Sequence, residues 1–312
     1  MREGDAVITV LLAVYNGEKY LRAQIDSLLD QTVGNINIVV RDDGSKDRSP
    51  DIIAEYASRL PDKISVITGE PTGGAATNFS EMLGRVDDDY IMFADQDDVW
   101  FPDKVQRTFE AMLKAENGET DVPVLVHGDL KVTDEGLNVI SDSFFDFQKI
   151  FPDDLSLNRL LVQNYVTGCT VMINRALKNK ALPIPCDVAM HDWWLALVAA
   201  SFGKIETIRS PLMYYRQHSD NQVGAKAGGG CAMIVRKLRT LGEVKANTAA
   251  TYRQARLLLN AYGEILTDEK LNLIREYAAM ETAGRINKIR TIKRYNFKKC
   301  TRLRVLGQYL LA

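Results

Sequence analysis

No apolar run in this chain approaches the roughly 20 residues that a membrane-spanning helix needs, so any membrane contact is expected to be peripheral. The opening Met1-Arg2-Glu3-Gly4-Asp5 has no signal-peptide pattern, so no secretory leader is expected. The four cysteines, Cys169, Cys186, Cys231 and Cys300, stand far apart, and no Cys-x-x-Cys occurs. That spacing argues against a zinc site and for reduced thiols in the cytoplasm. Two nucleotide-binding signatures are also missing. No Gly-x-Gly-x-x-Gly follows the first apolar run, and there is no Gly-x-x-x-x-Gly-Lys-Ser/Thr. A classical dinucleotide fold and a P-loop are therefore both unsupported. Net charge is nearly absent, with 39 basic against 41 acidic residues. The balance hides a split: from Cys231 onward there are 17 basic and 6 acidic residues, a net +11. The preceding residues carry 39 − 17 = 22 basic and 41 − 6 = 35 acidic, a net −13. A basic appendage of this kind is expected to meet something anionic.

What is present is an α/β pattern. With 312 residues, 46% hydrophobic and 26% charged, the chain suits one large globular domain or one plus a smaller one. Ala6 to Val14 reads as a buried strand ending at the turn Tyr15-Asn16-Gly17, and Glu18 to Asp30 as a helix. Ile36 to Val40 is a second strand, followed by Arg41-Asp42-Asp43-Gly44-Ser45. Ser49 is the expected cap of the next helix, with Pro50 at its first position. Ile64 to Thr68 is a third strand, and the helix after it carries Asn78, Phe79, Met82 and Leu83. Tyr90 to Ala94 is a fourth strand, running straight into Asp95-Gln96-Asp97-Asp98. This alternation predicts a doubly wound, parallel sheet with its polar loops on one edge. Further strands are expected at Val122–Val126, Asn164–Ile173 and Lys204–Ile208, and helices at Phe101–Ala115 and from His191 onward. His127, at the end of the first of these strands, reads as a satisfied structural histidine.

Ligands bind open α/β sheets at the carboxyl ends of strands, where three polar loops converge here. Tyr15 can stack on a base, Asp42 can accept from a base N–H, and Asp95 and Asp97 can hold ribose and a metal. In extended backbone Asp95 and Asp97 would point the same way. A hard cation such as Mg²⁺ or Mn²⁺ wants one or two carboxylates, with phosphates and water for the rest. Taken singly, each loop also fits a plain Asx turn or a solvated acidic turn. Asp192, at the edge of the helix opened by His191-Asp192-Trp193-Trp194, fits an N-cap carboxylate or a general base. Of the two tryptophans, at least one is expected in the core.

Together these segments resemble an inverting family 2 glycosyltransferase of the GT-A fold. The resemblance rests on Val14-Tyr15-Asn16-Gly17-Glu18, Asp42-Asp43-Gly44-Ser45-Lys46-Asp47, Asp95-Gln96-Asp97-Asp98-Val99-Trp100 with Pro102-Asp103-Lys104, and His191-Asp192-Trp193-Trp194. It covers residues 6 to 225. It implies a mixed, mostly parallel sheet and transfer of a sugar from a nucleotide-diphosphate donor to an acceptor hydroxyl. It implies donor recognition by Tyr15, Glu18, Asp42 and Asn78, with Asp95 and Arg216 at the ribose and diphosphate. A divalent metal, Mg²⁺ or Mn²⁺, would be held by Asp97, Asp95 and His218, and Asp192 would be the catalytic base. Gln96 departs from the pattern and leaves Asp98 as a third carboxylate; Asp97 is favoured as the direct ligand. The implied setting is surface-polysaccharide synthesis on a glycan or lipid-linked acceptor, in the cytoplasm at the inner face of the cell membrane. The His-Asp-Trp-Trp form of the motif suggests rhamnose. Two alternatives stand beside this reading: a non-catalytic nucleotide-sugar-binding module, and a nucleotidyltransferase, for which the basic phosphate loop is missing.

The expected division is a catalytic domain over 1–225 and a basic helical region over 226–312. Asn221 to Gly230, rich in glycine, reads as a lid or linker. Helices are expected at Met233–Leu241, Ala246–Tyr262 and Asp268–Met280. Arg285 to Arg304 carries nine basic residues and no acid, interleaved with Ile286, Ile289, Ile292, Tyr295 and Phe297. That pattern points to an anionic membrane surface ahead of helix packing or a dimer contact. Nucleic acid is disfavoured by the acidity of the larger domain.

Overall fold

The computed structural model describes residues 7–150, 152–218 and 233–311, apart from the side chains of residues 233–241, 243 and 311. The glycine-rich stretch Asn221–Gly230 and Cys231 lie outside the described residues. The first half runs β1 (Ile8–Val14), α1 (Leu21–Leu29), β2 (Ile36–Asp42), α2 (Ser49–Arg59), β3 (Ile64–Val66), α3 (Ala75–Arg85) and β4 (Tyr90–Asp95). β1 lies between β2 and β4 and is parallel to both. It is apolar along nearly its whole length because both its faces are covered. Successive residues alternate between the faces. Leu11 joins a core with Phe79 and Met82 of α3, while Val10 and Leu12 join a second core with Leu21 and Ile25 of α1.

The second half continues with β5 (Val99–Trp100), α4 (Lys104–Glu116), β6 (Val124–Thr133), β7 (Val139–Ser141), α5 (Phe144–Gln148) and α6 (Leu157–Leu160). β8 (Met172–Asn174), α7 (Arg175–Ala181), α8 (His191–Phe202) and β9 (Lys204–Arg216) follow. The sheet order is β3-β2-β1-β4-β8-β6-β9-β5, with β7 on β6. β8 is antiparallel to both β4 and β6, so the sheet is mixed. The fold is α/β, with the first four strands wholly parallel.

Several local expectations are corrected. The segment expected as a strand from Asn164 is loop, then a 3₁₀ turn at Gly168–Thr170, and only Met172–Asn174 pairs. Thr170 N–H and hydroxyl both donate to the Thr167 carbonyl and close that turn. β6 does not end at Val126; it runs on to Thr133 and buries His127, whose Nε2 pairs with the Thr207 hydroxyl at 2.9 Å. β9 likewise runs to Arg216 instead of stopping at Ile208, passing Pro211 at a shift of register, the kind of position where a sheet tolerates proline. Ser49 does not cap α2: Arg48 occupies that position, and the Ser49 hydroxyl accepts from Gly17 N–H at 2.8 Å.

The C-terminal region is helical: α9 (Met233–Tyr262), α10 (Asp268–Ala279), α11 (Arg285–Arg294) and α12 (Arg302–Leu311). α9 is one helix where two were expected. Tyr252 and Leu258 of α9, Ile274 and Tyr277 of α10, and Ile292 and Phe297 join the core that contains Trp194 of α8. Ile292 and Phe297 were expected on a membrane-facing stripe; they are fully buried instead, because the acid-free segment turns its apolar side inward. Among the described residues no helix is long and apolar enough to cross a membrane.

Candidate active site

The strand ends enclose a cleft of about 1530 Å³. Its first wall is built from hydrogen-bonded loops. Tyr15, exposed at the tip of β1, donates its N–H to Gln96 Oε1 at 2.6 Å and accepts from Gln96 Nε2 at 2.8 Å. Gln96, the departure from the acidic pattern, therefore ties the first loop to the acidic one with two hydrogen bonds. Asn16 has a positive φ of 50°, its N–H donates to Ser45 Oγ and its Oδ1 accepts from Lys46 N–H. The Asp42 carboxylate accepts from the N–H groups of Gly44 and Ser45 and from the Ser45 hydroxyl, an Asx turn in full. Glu18 is drawn into the same lattice, accepting from Arg48 N–H. Neither Asp42 nor Glu18 lines the cleft, whereas Tyr15, Asp43 and Asn78 do.

Beneath this wall lies a buried ion pair. Arg41 donates to Asp43 and to Asn78 Oδ1, each at 2.9 Å. Asp43 also accepts from Thr72 N–H and hydroxyl and from Gly73 N–H. Burial alone would raise its pKa, but the hydrogen bonds from Thr72, Arg41 and Gly73 outweigh that and hold it below the usual range.

The second wall is acidic. The backbone turns at Gln96-Asp97, so the alternation expected between Asp95 and Asp97 does not hold. Asp98 swings inward instead: ligand atoms of Asp95, Asp98 and Cys169 lie within 4.8 Å of one another. The Asp95 carboxylate faces the cleft and, among the described residues, accepts no hydrogen bond. Burial, reinforced by the charges of Asp97 and Asp192, pushes it up to about 7. Asp98 is fully buried, with one oxygen unpartnered and the other accepting weakly from Arg216 N–H at 3.3 Å. Burial and the charges of Asp97 and Asp95 push it well above the carboxylate range. Lys104 is the buried cation nearby. Its ammonium donates to the Cys169 carbonyl at 2.6 Å and sits 3.4 Å from the Trp100 ring centre, and burial lowers it to about 7. Asp97 stays at the cleft, 2.7 Å from His218 Nε2.

This crowding suits a divalent cation. Carboxylates converge with one unpartnered oxygen and one carboxyl that accepts nothing, beside a single buried lysine. The converging oxygen donors are those of Asp95 and Asp98, with the Asp97–His218 pair beside them, and such carboxylate oxygens fit Mg²⁺ or Mn²⁺ better than the Cys169 thiol does. Arg216 is elsewhere engaged: its Nε donates to the Asp97 carbonyl at 2.8 Å, another guanidinium nitrogen donates to the Glu135 carbonyl, and the group lies 4.7 Å from the Tyr20 ring centre. It braces the acidic turn from behind and is absent from the cleft lining.

Across the cleft stands Asp192. It is buried in the first turn of α8, whose cap position belongs to Met190. Its carboxylate accepts from Trp193 N–H at 2.6 Å and from the Asn164 amide at 3.2 Å. Burial lifts it to about 6 despite those bonds and one from Gly168 N–H. A Cβ on Gly168 would sit 3.3 Å from its Oδ2 and 3.2 Å from His191 Nε2, so glycine leaves the approach open. Trp194 is core, its Nε1 donating to the Ala181 carbonyl; Trp193 is half-buried and donates to Leu160.

The structure thus brings Tyr15, Asn78, Asp95, Asp97, His218 and Asp192 to one cleft and leaves Glu18, Asp42 and Arg216 in its frame. Sequence reasoning missed Asn164, Lys19 and Tyr20, all three of which line the cleft. Lys104, the first residue of α4, was legible only as part of Pro102-Asp103-Lys104, with no role attached.

Residues 9–179 match the family profile described as Glycosyl transferase family 2. A dTDP-rhamnosyl transferase, RfbG of Shigella flexneri, is 29% identical over 69% of this chain and 74% of that protein. Among solved structures, S. aureus TarS 1-349 in complex with UDP-GlcNAc superposes with a TM-score of 0.60 at 16% identity, over 88% of this chain and 70% of that one. The mannosyltransferase PcManGT from Pyrobaculum calidifontis, in complex with GDP-Man and Mn²⁺, gives 0.54 at 16% identity, over 90% and 77%. At such identity these likenesses concern the fold.

Proposed function

The chain belongs to glycosyl transferase family 2, and from that premise we propose that it transfers a sugar from a nucleotide-diphosphate donor to an acceptor hydroxyl by one inverting displacement. The observation that carries the reading is the pairing of two acidic groups in one cleft. Asp95 and Asp97 stand at the β4 end, and the buried Asp192 stands across from them. The donor nucleotide lies along the Tyr15 and Asn78 wall, its diphosphate toward Asp95, Asp97 and His218. A divalent cation held by Asp97, Asp95 and His218 would offset the charge of the leaving diphosphate.

Asp192 takes the proton from the acceptor hydroxyl. The oxygen attacks the anomeric carbon opposite the diphosphate, the new C–O bond forms as the old one breaks, and the diphosphate leaves with the electron pair. A positioned base contributes roughly 10²- to 10⁴-fold to such a step. Burial keeps the Asp192 carboxylate poorly solvated and so a better base than a surface aspartate. Asn164 and the Trp193 N–H fix its direction. In this reading residues 1–225 are the catalytic unit and 226–312 its basic helical appendage. The pathway is cell-surface polysaccharide synthesis, on a glycan or lipid-linked acceptor.

The name of the Shigella relative recommends dTDP-rhamnose as the first donor to test, with UDP- and GDP-sugars beside it. Nucleotide release is measured for each donor with Mn²⁺ or Mg²⁺ and a panel of lipid-linked acceptors. Release that needs both acceptor and metal is the expected result. Tight donor binding with no acceptor-dependent release across the panel would make the chain a nucleotide-sugar-binding module.

A further inference from the structure

Of the apolar residues that sequence patterning would set against a membrane, the basic segment buries Ile292 and Phe297, and a larger free apolar surface lies one helix later. On α12, Leu303, Leu306 and Leu310 are 81%, 55% and 64% exposed. Their spacing of three and four puts them on one stripe. The other side of α12 is anchored: Tyr309 packs on the core, and the Gln308 amide donates to the Phe297 carbonyl at 2.7 Å. The stripe is therefore held outward by the fold. Ile286, at the start of α11, is also 67% exposed.

Along this stretch of chain the charge has one sign, with Glu276 of α10 the acid that shares a hollow with Arg290. Arg285, Arg290, Lys293, Arg294 and Arg302 are exposed, and the run from Arg285 to Arg304 contains no acid. Among the described residues none of these five has an ion-pair partner. α12 also adjoins the cleft. An Arg304 guanidinium nitrogen donates to the Gln148 carbonyl at 3.0 Å. Gln148 and Phe147 of α5 line the cleft, and Phe147 is 40% exposed.

We propose that the Leu303, Leu306 and Leu310 face of α12, with the exposed cations of α11, docks the protein on an anionic lipid bilayer. Apolar side chains on one stripe with unpaired cations beside them match the chemistry of an interfacial helix: the leucines enter the acyl boundary while the cations meet anionic headgroups. A second copy of the chain would offer the same positive charge back to these cations, which disfavours it as the occupant. The Arg304 link sets the α5 side of the cleft beside the bilayer. That last consequence, delivery of a lipid-linked acceptor to the cleft, rests on the transferase reading; the docking itself does not.

The test is sedimentation of the full chain with vesicles of phosphatidylglycerol and phosphatidylcholine, against vesicles of phosphatidylcholine alone. Binding is expected only to the anionic vesicles, and to weaken at least tenfold between low and high salt. The triple variant L303S/L306S/L310S should lose at least tenfold in partitioning while keeping nucleotide binding and melting temperature. A second variant, R290E/R294E, should lose the anionic preference with α12 untouched. Wild-type levels of vesicle binding in either variant, or no binding by the unmutated chain, would overturn the proposal. So would a dimer in analytical ultracentrifugation that the triple serine variant dissolves. Donor turnover is measured separately, so failure of docking and failure of transfer are told apart.

Discussion

Aspartates on the two walls of the cleft are chemically identical and electrostatically opposite. On the first wall Asp43 and Asp47 are held below the usual range: burial works against them, but donors such as the Thr72 and Gly73 N–H groups and the Ser49 hydroxyl outweigh it. On the second, Asp95, Asp98 and Asp192 are pushed up, by burial first and then, for Asp95, by the charges of Asp97 and Asp192 and, for Asp98, by those of Asp97 and Asp95. For Asp95 and Asp98 the difference lies in hydrogen-bond supply; Asp192 accepts from the Trp193 N–H and the Asn164 amide, and burial outweighs those bonds. Three or four donors converge on each first-wall carboxylate, which makes it a structural strut. Asp95 has none, and Asp98 has one long contact. Carboxylates left short of donors in a crowded cleft are ready to receive a cation or a proton.

The largest test of that contrast is Asp192→Asn. Transfer should fall by roughly 10²- to 10⁴-fold while donor affinity and melting temperature stay near wild type, since Asn keeps the size and its Oδ1 still accepts from the Trp193 N–H and the Asn164 amide. The sign of the pH dependence follows from the base role. The ionised carboxylate is the active form, so the wild-type rate should climb as pH rises through about 6 and be flat above it. That acid limb should vanish from the residual activity of the variant.

Asp97→Ala tests the metal-facing side of the same wall. Metal-dependent donor binding, read by titration calorimetry with and without Mn²⁺, should weaken roughly 100-fold with the fold intact. Full donor affinity in the variant, or full wild-type activity in excess chelator, would remove the metal from this cleft.

Asp43→Asn should behave in the opposite way, costing stability and only indirectly activity. It leaves Arg41 buried without its partner at 2.9 Å, a loss of about 3 kcal/mol read by denaturant unfolding. The two walls also predict opposite pH trends in stability. Asp43, with a depressed pKa, stabilises above its unfolded value near 3.9 and loses that contribution as pH falls through its folded pKa. Asp95 and Asp192, with raised values, favour the fold below that unfolded value. Their contribution is lost as pH rises through about 6 to 7. Metal-free protein should therefore lose melting temperature over that upper window, and Asp95→Asn should reduce the loss.

The smallest effect is expected at the joint between the walls. Gln96→Ala removes two hydrogen bonds to the Tyr15 backbone at a partly exposed site, worth about 1 kcal/mol net. Donor affinity should weaken roughly fivefold, with the catalytic step unchanged. A loss as large as that of Asp97→Ala would mean that Gln96 touches the donor itself.

The sequence by itself determined the first half of the fold and the address of the site. Parallel strands covered on both faces must be continuously apolar, so β1, β2 and β4 stood out, and their polar ends had to share one edge. Asp95, Asp97 and Asp192 were legible for the same reason, as acids at element boundaries. Tertiary structure decided what each acid became. Asp42 and Asp43 adjoin in sequence, yet one closes its own turn while the other pairs with Arg41 and receives Thr72 from 29 residues away. No local pattern carries that information, because a carboxylate's role depends on how many donors reach it through space. The same holds for Lys104, buried against Cys169 from 65 residues away. It holds again for the C-terminal region, where spacing predicts an apolar stripe but only packing selects its side: Ile292 and Phe297 turn inward to the core, and Leu303, Leu306 and Leu310 turn outward.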